Sequence, residues 1–145
     1  MKIRIWDLPT RLFHWALVLA VLGSFISADD DGGTLVWHAR FGYFILSLLL
    51  FRVIWGFTGS HYAKFFNFIK SPKTVLSYLK NPTEVPGHNP LGALSVIALL
   101  GFLLLQAVTG LFASDDIAFE GPLVKYVSSS VTELITSIHR LNESV

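Results

Sequence analysis

The chain has 145 residues, 52% of them hydrophobic and 14% charged, with a mean hydropathy of +0.57. That is too apolar for an ordinary water-soluble domain and points to an integral membrane protein with membrane lipid as its surroundings. The net charge is +1 and there is no cysteine, which excludes disulfides, thiolate metal sites and thiolate-held iron–sulfur clusters; no nucleic-acid partner is expected.

In chain order, Lys2, Arg4 and Arg11 precede the first apolar run, as in the basic region of a signal peptide. Asp7 and Pro9 interrupt that region, and no small-residue cleavage site follows before Asp29-Asp30-Asp31. The expectation is a retained span over residues 10–27. A short acidic connection, 28–38, leads to a second span over 39–57. Residues 58–90 then interleave Lys64, Lys70, Lys73 and Lys80 with aromatic and aliphatic residues. Ser71-Pro72 reads as an N-cap followed by a first-turn proline, so this loop is expected to hold a short amphipathic helix on the membrane surface. Asn89-Pro90 repeats the signal before a third span over 91–113. At 1.5 Å per residue, each run can cross a hydrocarbon core of about 30 Å, the first two with little to spare.

Residues 114–131 are acidic. The last stretch, VTELITSIHRLNESV, reads as the beginning of a fourth helix at 131–145, too short and too polar to span. Lys2, Arg4, Arg11, Arg52, Lys64, Lys70, Lys73 and Lys80 fall on one side of this arrangement, and Arg40, Lys125 and Arg140 on the other. The positive-inside rule therefore predicts a cytoplasmic N-terminus and a cytoplasmic 58–90 loop, in a multi-pass membrane protein.

The same topology sorts the five histidines. His14 lies about one turn into span one on the cytoplasmic side. His38 opens span two on the outer side, and His139 sits in the partial fourth helix on that same side. Two imidazoles at one depth on two helices are what a haem between helices requires, one for each axial position of the iron. His38 with His139 meets that requirement. Gly42, one turn beyond His38, leaves room for a ring edge. Arg40 is close to His38 in sequence and could meet a haem carboxylate, and Arg52, at the depth of His14, could meet that of a second haem. The plainer readings stay open. His14 could snorkel between Phe13 and Trp15, His38 could belong to an interfacial aromatic belt, and His139 could be solvated. His61 reads as a surface residue and His88 as part of the start of span three.

The stretches WDLPTRLFHW, WHARFGY, GHNPLGAL, VTGLFASDD and ITSIHRLN resemble the bacterial cytochrome b561 family, in the branch that includes the b-type subunit of nickel–iron hydrogenases. The resemblance covers the chain up to residue 142. It implies an all-α, four-helix membrane cytochrome carrying two b haems, each held by two histidines, that passes electrons between membrane quinone and a redox partner. A hydrogenase, a dehydrogenase or a cytochrome c would serve as that partner. It implies that His14, His38 and His139 are iron ligands from helices one, two and four. The family's fourth helix carries one more histidine about thirteen residues past the position of His139, about 20 Å deeper. This sequence ends six residues after His139, so one haem or fewer is expected for it.

The expected fold is thus an integral membrane helical bundle, a single domain over 1–145 with three full spans and the start of a fourth. The expected function is electron transfer through bis-histidine haem b. A superoxide- or other substrate-oxidising quinone reductase of the same family, and a helical membrane subunit without haem, are the alternatives.

Overall fold

The computed structural model describes residues 5–28, 32–85, 87–117 and 119–143. Among the described residues six α-helices follow one another: α1 Leu8–Ile26, α2 Gly32–Thr58, α3 Phe65–Phe68, α4 Pro72–Lys80, α5 Pro90–Leu111 and α6 Ser129–Glu143. Three stretches, Leu8–Ile26, Gly33–Thr58 and Pro90–Leu111, are long and apolar enough to cross a membrane.

Helices α1, α4 and α5 start where the sequence provides a partner for the orphan amides of a first turn. Asp7 caps α1, its Oδ1 accepting from the Thr10 amide at 2.9 Å, with Pro9 in the first turn. Asn89 caps α5 by accepting from the Gly92 amide at 2.7 Å, and Ser71 caps α4 by accepting from the Thr74 amide. At the other end of α1, the Ser27 hydroxyl donates to the Gly23 carbonyl at 2.7 Å. The second span differs from expectation: its helix begins at Gly32 rather than near residue 39. Nothing in Gly33-Thr34-Leu35-Val36-Trp37 stops a helix, and three of those five residues are apolar. His38 therefore sits more than one turn inside α2 instead of opening it. The acidic Asp29–Asp31 lie outside the described residues.

α1 and α2 pack as one antiparallel hairpin and α5 and α6 as another, and α2 meets α5 between them. The interior is small. Ala20, Ile45 and Leu49 form its centre, with Leu17, Val21, Phe41, Leu100, Leu103 and Ala107 against them. Large apolar side chains such as Leu19, Leu22, Ile54, Leu94 and Leu99 face outward instead. In water that surface would be unfavourable; against lipid tails it is the ordinary exterior of a spanning helix.

The two ends of the bundle are built differently. At one end the chain after α2 folds back as α3, laying Phe65 and Phe68 over Arg52, which is only 4% exposed. At the other, residues 112–117 and 119–128 form a tight cap. The Gly121 amide donates to the Ala113 carbonyl at 2.8 Å, and the Leu123 amide to the Leu111 carbonyl at 3.0 Å. A Cβ at Gly121 would strike the Leu111 carbonyl oxygen, so only glycine fits that crossing. The Ser114 amide donates to the Thr136 hydroxyl at 3.1 Å, tying the cap to α6.

Candidate functional site

A cavity of ≈ 200 Å³ lies at the capped end, with walls from α1, α2, α5, α6 and the cap. His38 from α2 and His139 from α6 both line it, their ring centroids 6.1 Å apart and their planes at 89°. The sequence had placed these two residues on one side by topology alone; the fold brings them within reach of a common atom.

Each ring is held by the helix that precedes its own. His38 Nδ1 lies 2.9 Å from the Ser24 carbonyl oxygen and 3.2 Å from the Ser24 hydroxyl. Ser24 is in the last turn of α1, where carbonyls lack a partner along the helix. His139 Nδ1 lies 3.0 Å from the hydroxyl of Thr109 on α5. One turn earlier, the Gln106 amide nitrogen donates to the His139 carbonyl at 3.1 Å. Gly42 and Gly110 also line the cavity, and a Cβ at Gly42 would meet nothing within 4 Å.

This arrangement fits a metal whose other ligands come with it. Imidazole nitrogens bind metals at about 2 Å, so two rings flanking one ion have centroids roughly 6 Å apart. Among the described residues no group of three or more His, Cys, Asp or Glu side chains could cage a metal unaided. Two histidines are too few for a protein-only site but suffice for an iron already held in the plane of a macrocycle. The cavity is smaller than the roughly 300–1,000 Å³ of most cofactor pockets, and at Gly42 its wall carries no side chain.

The remaining predicted residues are elsewhere. Arg40 does not line the cavity; it is exposed, its guanidinium 4.8 Å from the centroid of the Trp37 ring. Residues two apart on a helix point in different directions, so an arginine two positions after His38 cannot share its face. Arg140, which the sequence reading passed over, lines the cavity instead. Asp115 lines it too, its Oδ1 accepting from the amides of Ile117 at 3.0 Å and Phe119 at 2.8 Å.

At the opposite end, His14 is exposed, its ring edge-on to Trp15 at 5.5 Å between centroids. Arg52 is buried beneath Phe65 and Phe68, and its Nη1 has no hydrogen-bond partner among the described residues. His88 packs between Trp6, at 4.5 Å, and Phe68, at 5.1 Å. Burial and the nearby Arg52 charge both push its imidazole below the ordinary histidine value. His61 is exposed and hydrogen-bonds Asn67.

The profile of the family described as prokaryotic cytochrome b561 matches residues 5–142. Among curated proteins, the chain is 30% identical over 133 residues to a protein of Azotobacter vinelandii named "Probable Ni/Fe-hydrogenase B-type cytochrome subunit". The match covers 72% of this chain and 54% of that protein. A protein of the same name from Azotobacter chroococcum mcd 1 matches to the same extent. The chain thus spans about half the length of the curated relatives it matches. No solved structure matches it.

Proposed function

This chain belongs to the prokaryotic cytochrome b561 family, and on that premise we propose that His38 and His139 are the two axial ligands of a b haem at the capped end of the bundle. Membership makes the protein a membrane b-type cytochrome of electron transfer, with haem b as its cofactor. The observation that carries the finer reading is the pair of imidazoles, 6.1 Å apart across a cavity shared by four helices.

When bound, the haem supplies a one-electron couple between ferric and ferrous iron. The chain's own residues determine what that couple can do. His38 and His139 would together hold the iron, which would then carry electrons and not bind dioxygen or a substrate. Phe102, Leu103, Ala107 and Leu111 line the cavity with hydrocarbon, and the adjoining cap is stitched by its own backbone hydrogen bonds. Arg140 lines the same cavity and would offer its cation to a haem carboxylate.

His14, exposed at the other end, is proposed as a ligand of a second b haem, with the buried guanidinium of Arg52 as the charge for its carboxylate. Electrons would pass between membrane quinone and a redox partner at the face of the bundle. The names of the curated relatives make a hydrogenase the partner to test first. We place the protein in the bacterial inner membrane with its N-terminus in the cytoplasm, on the distribution of Lys and Arg. The test is a visible spectrum of the purified protein, oxidised and then reduced with dithionite. A low-spin b-type spectrum is expected; a protein expressed in haem-replete cells that shows no haem absorbance would overturn the reading.

A further inference from the structure

We propose that Thr109 and Gly110 form a seat that fixes the tautomer and orientation of His139 before any metal arrives. Thr109 is a positioning residue, acting through the imidazole and not on the iron. The proposal rests on the reading of His139 as an axial ligand, and deepens it.

The argument is one of donors and acceptors. Thr109 is buried, at 7% exposure, and its hydroxyl has one proton and two lone pairs. Its oxygen lies 2.9 Å from the Leu105 carbonyl and 3.0 Å from the Gln106 carbonyl, both of which can only accept. The hydroxyl proton is therefore directed back along α5. Toward His139 Nδ1, 3.0 Å away, the oxygen presents a lone pair. That contact is a hydrogen bond only if Nδ1 carries the proton. In a neutral imidazole the lone pair then resides on Nε2. The Gln106 amide nitrogen lies 3.4 Å from Nε2, and as a donor it faces a lone pair there, in agreement.

Gly110 gives the ring its place. A Cβ at that position would lie 3.0 Å from His139 Cε1, closer than ordinary contact allows, so the imidazole rests against the α5 backbone where a side chain would otherwise stand. His38 reaches the same tautomer by another route. Its Nδ1 faces the Ser24 carbonyl at 2.9 Å, an acceptor that demands Nδ1–H. Both rings thus present Nε2 as the metal-binding nitrogen. One is locked by a backbone carbonyl that no substitution removes, the other by a single hydroxyl that one substitution deletes.

The experiment is nitrogen-15 NMR of histidine-labelled, haem-free full-length chain in lipid nanodiscs, followed by haem titration. In the wild type His139 should be protonated at Nδ1. Thr109→Val, which keeps the shape and loses the acceptor, should give a mixture of tautomers, and Thr109→Ser should restore the single one. On loading, Thr109→Val should weaken haem binding by roughly 10- to 100-fold, the usual cost of losing such a partner. It should also move the low-spin electron paramagnetic resonance signal, which Thr109→Ser should leave in place. A wild-type His139 protonated at Nε2, or a Thr109→Val chain with an unaltered Nδ1–H tautomer, overturns the proposal. The wild-type measurement decides the matter even where a variant fails to fold. A wild type that takes up no haem sinks the ligand assignment instead, and the tautomer result still stands as the test of the seat.

Discussion

The indole Nε1 of Trp55 donates to Oδ2 of Asp7 across 3.1 Å, joining residues 48 positions apart. The other oxygen of the same carboxylate caps α1 through the Thr10 amide. One side chain therefore both starts the first span and pins it to the last turns of the second. Burial pushes this carboxyl up, but the Thr10 amide and the Trp55 indole that donate to it help to outweigh that and hold it at about 2.

Because the folded carboxyl lies below its unfolded value, its contribution to stability is complete above the unfolded pKa of about 4 and is lost as pH falls from there through about 2. Thermal unfolding in detergent should show the midpoint falling across that window. Asp7→Asn should be less stable at neutral pH and should show a flatter profile below about pH 4. Identical profiles for the two proteins would show that the carboxylate contributes nothing.

His88 titrates in the opposite chemical sense with the same direction of effect. Its folded pKa is lowered, so the unfolded chain binds its proton more readily, and stability declines as pH drops below about 6.5. The groups facing it are Arg52 through charge and Trp6 and Phe68 through their rings. His88→Phe should remove this part of the pH dependence. A His88 proton titration at or above the free-histidine value would contradict the packing.

At the capped end, His38→Ala and His139→Ala should each abolish the absorbance of the haem there, while His61→Ala leaves the spectrum as it was. Comparable losses from all three changes would indicate general misfolding in place of ligation. Arg140→Gln should weaken haem retention more than Arg40→Gln, since only Arg140 lines the cavity.

Orientation is checked by reporters. A fusion after Gly59 should behave as cytoplasmic and an insertion beside Gly33 as periplasmic. The reverse pattern would exchange the sides of the paired histidines and of the basic 58–90 loop.

Chemistry that acts along the chain was legible in the sequence; chemistry that acts across it was not. Ser71-Pro72 and Asn89-Pro90 announce their helices because a cap involves residues three apart. The shared end for His38 and His139 followed from counting spans. Ser24, Gln106 and Thr109 gave no signal, because a lone polar residue in an apolar run is as readily satisfied by its own helix, and Thr109 indeed also bonds the Leu105 carbonyl. Arg40 is close to His38 in sequence, yet its guanidinium lies over Trp37 and not along the cavity, because residues two apart on a helix face different ways. Arg52 lies beneath two phenylalanines of α3, a four-residue helix whose return over α2 no periodicity encodes. The early start of α2 escaped because a pair of glycines reads as a turn when no tertiary contact is known.

His38 takes its bearing from Ser24, fourteen residues before it, and His139 from Thr109, thirty residues before it. Each ring has an Nδ1 partner inside its own hairpin. Two hairpins each supply one jaw of a clamp, and residues 81–85 between them line none of the cavity. A cut in the 81–85 stretch should therefore leave two fragments that can be produced separately and reunited in one bilayer, with the cofactor as the rivet.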